Sequence, residues 1–155
     1  MNEPDNFLTP EMRQDMVRVL VHCVRFDSWN KTPVVLLKNE TEDWFLPIWI
    51  GMFEATQIEI ALEKVPVPRP MTHDLLNSLL TAFDLSLEGV YIHDISGGTF
   101  FACLNILKTE EFGGETVTLD SRPSDAIALA LRTGSPIFVS SKIVREASIN
   151  SSVPP

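Results

Sequence analysis

The chain has 155 residues, 45% of them hydrophobic and 21% charged, and a formal net charge of −9. That is one domain's worth of chain, with a core large enough to fold without disulfide or metal staples, and it excludes collagenous, low-complexity and wholly disordered classes. The 12 Lys and Arg stand singly among 21 Asp and Glu with no basic run, so stable nucleic-acid binding is not expected, although a transient nucleic acid substrate at a small site stays compatible with the charge.

Residues 1–15 carry Pro4 and Pro10 among polar residues and lack the apolar stretch of a signal peptide, which predicts a flexible N-terminal arm. No stretch approaches the roughly 18 apolar residues of a membrane span, so a cytoplasmic protein with no membrane partner is expected. Val17, Val19, Val21 and Cys23 alternate with other residues in a strand pattern, followed by a turn at Asn30-Lys31-Thr32-Pro33 and a second strand over 34–38. A third strand over 44–50 contains Pro47, which places it at an edge or a bulge. Trp44 and Ile48 on that strand read as exposed apolar positions and predict a homo-oligomer contact, most simply a two-fold dimer. Cys23 and Cys103 lie in apolar runs and read as small buried hydrophobes rather than a disulfide.

Two helices follow. Residues 54–64 put Ala55, Ile58, Ala61 and Leu62 on one face and leave Glu54, Glu59 and Glu63 as a solvated face. Pro66, Pro68 and Pro70 break the chain. Thr72 can cap the next helix, whose apolar stripe is Leu76, Leu79, Leu80 and Phe83. Strands over 90–95 and 99–107 then flank the hairpin signal Ser96-Gly97-Gly98, and Gly113-Gly114 marks another turn before a strand over 115–119. Residues 120–124 lead into a helix over 126–132 that is apolar nearly all round and therefore buried. Gly134 ends it, residues 137–139 make a short strand, and Ser140 or Ser141 caps a last helix through residue 147. Residues 150–155 read as a disordered tail. The order βββααβββαβα predicts an α+β single domain over residues 16–149, a mixed, largely antiparallel sheet flanked by helices, and excludes a doubly wound parallel sheet.

No glycine-rich phosphate loop, CxxC pair, HExxH or Gly-x-Ser-x-Gly sequence is present. Three polar clusters remain. Pro68-Arg69-Pro70-Met71-Thr72-His73-Asp74 offers a rigid cation, an imidazole and a carboxylate at a helix start, which is either acid–base or metal chemistry or plain capping with Asp74 on the helix dipole. Asp120-Ser121-Arg122-Pro123-Ser124-Asp125 sets two carboxylates, two hydroxyls and a guanidinium at the mouth of the buried helix. Its N–H groups can hold an anion and its carboxylates can share a divalent ion, or the groups simply cap and pair. His93 and Asp94 point to opposite faces of a strand and read as a strand edge, and His22 as structural. Trp44, Trp49, Phe100 and Phe101 lie in strands without interleaved basic residues and read as core or interface rather than base-stacking platforms.

The runs Leu46-Pro47-Ile48-Trp49-Ile50-Gly51, Pro68-Arg69-Pro70-Met71-Thr72-His73-Asp74-Leu75-Leu76 and Asp120-Ser121-Arg122-Pro123-Ser124-Asp125-Ala126-Ile127-Ala128-Leu129-Ala130, with Gly134-Ser135-Pro136-Ile137-Phe138-Val139, resemble the bifunctional nuclease domain family in order and spacing over residues 16–147. The resemblance implies an α+β fold and hydrolysis of DNA and RNA phosphodiester bonds. It supplies no catalytic assignments. For an active nuclease, a phosphodiester hydrolase dependent on divalent metal (Mg or Mn), the expected catalytic residues are His73, Asp74 and Asp125. Arg69, Arg122, Ser121 and Ser124 would bind substrate, and Asp120 and Asp125 would bind metal. The rival expectation is a non-enzymatic small-anion-binding regulator or an oligomeric interaction module. A shared site requires residues 68–75 and 120–125 to lie side by side.

Overall fold

A computed structural model describes residues 8–109, 114–150 and 152. In chain order the elements are α1 (Pro10–Gln14), β1 (Met16–Asp27), β2 (Thr32–Lys38), β3 (Trp44–Trp49), α2 (Met52–Leu62), α3 (Thr72–Ala82), β4 (Leu85–Ser96), β5 (Thr99–Lys108), β6 (Thr116–Ser121), α4 (Pro123–Thr133), β7 (Ile137–Ser140), α5 (Ser141–Ala147) and β8 (Ile149–Asn150). The expected α+β order is therefore present, with α1 and β8 added at its ends. No described helix is long and apolar enough to cross a membrane.

The strands form one 8-stranded sheet in the order β6-β5-β4-β7-β1-β2-β3-β8. Every pairing is antiparallel except β4 with β7. The long β1 joins the two halves: its first residues pair with β7, its later ones with β2, and a bulge between Val21 and Cys23 bends it on the β2 side. Asp27 shapes the turn that follows by accepting the backbone N–H groups of Trp29 and Asn30. Val35, Leu37, Val90, Ile92 and Val139 are among the core residues the strands supply. Helix α4 supplies its whole middle to the same core, Ala126 through Ala130 all being buried, and it contacts both α2 and α3. The three alanines in that run let neighbouring elements approach closely on more than one side.

Several expectations change. Residues 8–15 do not form a flexible arm: Leu8 is buried, and the Thr9 hydroxyl accepts the Met12 N–H to cap α1. Residues 1–7 lie outside the described residues. Asn150 likewise is not part of a disordered tail, because Ile149 and Asn150 pair with Phe45 and Trp44; residues 151 and 153–155 lie outside the described residues, as does Gly113. Strand β8 covers only that first part of β3, so Pro47 does stand on an uncovered edge. Trp44 and Ile48 are nevertheless buried, which removes the basis for a dimer contact through them; the exposed residue of that strand is Trp49.

Helix α3 is rotated from the expected orientation. His73, Asn77 and Leu80, spaced i, i+4 and i+7, face inward, while Leu75, Leu76, Leu79 and Phe83 face solvent. Its cap also differs. Met71 is the N-cap residue, Thr72 lies in the first turn, and the Asp74 carboxylate reaches back to accept the Met71 N–H at 2.7 Å. Both Cys23 and Cys103 are free thiols, and burial pushes the Cys103 thiol up to about 12.

Gly134 closes α4 at φ 71°, with its N–H bonded to the Ala130 carbonyl. A Cβ there would meet nothing within 4 Å, so a side chain is opposed only by the left-handed backbone. Gly134→Ala should lower the unfolding free energy by about 1 kcal/mol, read as a lower urea midpoint at unchanged slope.

Candidate functional site

The site begins where β6 runs out. Arg122 holds the N-cap position of α4, Pro123 occupies the first helical position, and Ser124 and Asp125 complete the opening turn, with no side chain capping the turn's N–H groups. The Arg122 guanidinium folds over that turn: its Nε donates to Asp125 Oδ2 at 2.7 Å and its Nη2 to Oδ1 at 3.2 Å. Its Nη1 donates to Glu54 Oε1 on α2 at 2.9 Å. His73 Nε2, from α3, lies 3.0 Å from Asp125 Oδ1. One chain of contacts, Glu54–Arg122–Asp125–His73, thus joins three helices, and residues 68–75 and 120–125 do lie side by side.

A second cluster sits behind it. Arg132 Nε donates to Asp74 Oδ1 at 2.6 Å; its Nη1 donates to the carbonyls of Gln57 at 3.1 Å and Ala128 at 2.8 Å, and its Nη2 to Gln57 Oε1 at 3.3 Å. The Arg132 side chain is only 6% exposed. A charge this deeply buried is tolerated only when paired and hydrogen-bonded.

The electrostatics follow from these partners. The Met71 N–H and then Arg132 hold the Asp74 carboxyl below its ordinary value. Burial pushes the Asp125 carboxyl up, but the hydrogen bonds from Arg122 and His73 outweigh it and the net shift is downward. The hydrogen bonds to Asp125 and Glu54 keep Arg122 more firmly protonated than usual.

Exposure is graded along the chain of contacts. The His73 side chain is 8% exposed, Asp125 34% and Arg122 63%. His73 therefore stands behind Asp125 rather than at the surface, and its Nδ1 has no hydrogen-bond partner among the described residues. Arg122 opens onto a cleft of about 330 Å³ whose walls include Glu54, Gly51, Ser124, Trp49 and Phe100. Gly51 suits this geometry, since a Cβ at that position would push the end of the flexible Glu54 side chain aside. Its absence lets Glu54 fold back over the start of α2 and reach Arg122.

Of the residues expected to act, the structure gathers His73, Asp125, Arg122 and Ser124. Asp74 faces Arg132 and serves the helix packing. Ser121 donates its hydroxyl to the Arg122 carbonyl at 3.0 Å. Arg69 is exposed and makes no hydrogen bond or ion pair with a described residue. Asp120 is exposed near the end of β6, where its charge is felt by His93 and Cys103. Asp125 acts instead on Arg122 and His73. Asp94 pairs with Lys142 at 2.9 Å, and neither it nor His93 lines the cleft.

The donor set does not fit a divalent ion shared by Asp120 and Asp125. Both Asp125 oxygens are engaged by Arg122 or His73, and among the described residues no group of three or more His, Cys, Asp and Glu side chains stands ready to hold a metal. Sequence reasoning missed Glu54, Gly51, Gln57 and Arg132. For Arg132 the signal was present, as the one cation on an otherwise apolar helix.

The profile of the family described as "Bifunctional nuclease domain" matches residues 35–152. An uncharacterised protein of Mycobacterium tuberculosis is 38% identical over 134 residues, covering 86% of this chain and 77% of that protein. Bifunctional nuclease 1 of Oryza sativa is 29% identical over 119 residues, covering 76% of this chain but 35% of the rice protein. A bifunctional nuclease of Oryza minuta matches to the same extent.

Two predictions follow from these contacts. The Asp74 carboxyl is more acidic folded than unfolded, so its contribution is complete above the unfolded value near 3.9 and is lost as pH falls through the depressed folded value. Unfolding free energy from urea titrations at pH 2 to 7 should hold level down to about pH 5 and then decline. Asp74→Asn should lower the neutral plateau by about 2 kcal/mol and flatten part of that decline. Gly51→Ala should displace Glu54 and release Arg122 on one side while leaving the urea midpoint nearly unchanged; a crystal structure of the variant checks the displacement.

Proposed function

The chain belongs to the bifunctional nuclease domain family, and from that premise we propose that it is a phosphodiester hydrolase that cuts nucleic acid at the cleft beside Arg122. The observation that carries this reading is the guanidinium itself. It is exposed, held by carboxylates from two helices, and placed over the open first turn of α4 on the wall of the cleft. Arginine has five N–H donors. Three are used in the contacts to Asp125 and Glu54, which leaves two for the oxygens of a phosphate.

The start of α4 adds backbone N–H groups and the positive end of the helix dipole. Together they offset the negative charge that grows on the phosphoryl oxygens as a water oxygen bonds to phosphorus and the bond to the leaving oxygen breaks, the water losing its proton to solvent and the leaving oxygen taking one from solvent. Asp125, held ionised, orients Arg122. His73 is a positioning residue behind Asp125. Ser124 presents a hydroxyl to the same wall. No step is routed through a metal ion.

A second reading, a small-anion-binding regulator, is favoured by one observation: both Asp125 oxygens are taken by Arg122 or His73, which leaves the carboxylate nearest the cation no free oxygen to accept a proton.

The test uses end-labelled RNA and DNA oligonucleotides incubated with Mg²⁺, with Mn²⁺ or with chelator. The parent should cleave in at least one condition, and Arg122→Ala should be about 100-fold slower in that condition. Equal rates for parent and variant place the chemistry elsewhere, and anion binding without cleavage in any condition replaces the hydrolase with the regulator.

A further inference from the structure

Resting on that reading of the cleft, we propose that its substrate is single-stranded nucleic acid, one unpaired nucleotide seated with its base against Trp49 and Phe100 and its phosphate at Arg122. The cleft joins one cation to two aromatic walls, which is the combination that single-strand binders use, a positive group for the backbone and ring faces for the bases. Trp49 ends β3 and is about half exposed, and its indole N–H donates to Asp27 Oδ2 at 2.8 Å. That bond, made by the same carboxylate that shapes the β1–β2 turn, fixes the orientation of the ring, and about half of the residue remains exposed. Phe100 enters from the start of β5, beyond the Gly97-Gly98 turn, partly packed against the core and partly on the cleft wall. Phe53, next to Glu54 in sequence, is 88% exposed and adds apolar surface at the start of α2.

Charge argues the same way. A duplex presents one negative charge per about 1.7 Å of axis and is normally held by many cations at once. Here the cleft offers Arg122 alone, in a chain of net charge −9. A paired base has both faces covered by its neighbours, so it reaches Trp49 only after unstacking, at a cost of a few kcal/mol. An unpaired base carries no such penalty. A ring face does not read the sugar, so single strands of DNA and RNA should be taken alike.

The experiment is fluorescence anisotropy with a dye-labelled hexanucleotide, DNA or RNA, in chelator, against the same strand annealed to its complement. The single strand should bind at least tenfold more tightly than the duplex. Trp49→Ala and Phe100→Ala should each weaken single-strand binding by about tenfold, and Trp49→Phe should restore most of it, as stacking requires. Raising salt from 50 to 200 mM should cost only about 3-fold, as expected for a single phosphate contact.

Circular dichroism confirms that each variant is folded, and Phe100→Ala carries the test where Trp49→Ala is not. Equal binding of duplex, no binding of either form, or full binding by both alanine variants overturns the proposal. The two readings fail separately. Cleavage that depends on Arg122 but ignores Trp49 and strandedness removes the stacking and leaves the hydrolase. Single-strand binding without cleavage removes the hydrolase and leaves the stacked nucleotide.

Discussion

The buried guanidinium of Arg132 is the constraint on which the site depends. It projects from the most deeply buried helix of the fold and is bonded to a carboxylate on α3, a backbone carbonyl of its own helix, and a backbone carbonyl and side-chain amide on α2. An unpaired charge in that position would cost several kcal/mol, so the three helices are held to one mutual arrangement. Asp74 is spent on this contact, and the adjacent His73 is thereby set against Asp125. The contact chain Glu54–Arg122–Asp125–His73 is a consequence of the ion pair behind it.

The same constraint accounts for the orientation of α3. An amphipathic helix ordinarily turns its apolar stripe to the core. Here the inward face carries His73 and Asn77 with Leu80, and the stripe of Leu75, Leu76, Leu79 and Phe83 is left outside. A buried ion pair and a buried imidazole contact at the first turn fix the rotation of the helix, and the hydrophobic residues further along follow. From 75 to 83 the helix carries no ionisable side chain. The exposed apolar surface of α3 therefore lies there.

Local signals explain how much was legible in the sequence. The Gly97-Gly98 hairpin, the Gly134 stop and the apolar run of α4 are decided within a few residues, and the order of strands and helices follows from them. Periodicity states which residues share a face but not which face is inward, and so the orientation of α3 was not legible. Nor was the exchange of roles on β3, where Trp44 is buried and Trp49 half exposed. The two carboxylates flanking Arg122 looked equivalent as text. A strand-to-helix junction runs between them, sending Asp120 toward His93 and Asp125 toward His73. Glu54 lies 68 residues from Arg122, a separation across which no local pattern carries information.

The charges at the cleft bear on what it can hold. Glu54, Arg122 and Asp125 together sum to −1, so the guanidinium that meets a phosphate is already more than neutralised by its own supports. Those supports keep it fixed and protonated, which favours orientation over attraction. The partial positive end of α4 offsets the excess only in part. Affinity must then come from groups whose contribution does not depend on charge. At this cleft the proposed groups are the rings of Trp49 and Phe100, since stacking on a base acts over a short range and depends little on salt. On the proposed reading, a site so built would distinguish its substrate by whether a base is free to leave its neighbours rather than by the charge of the backbone.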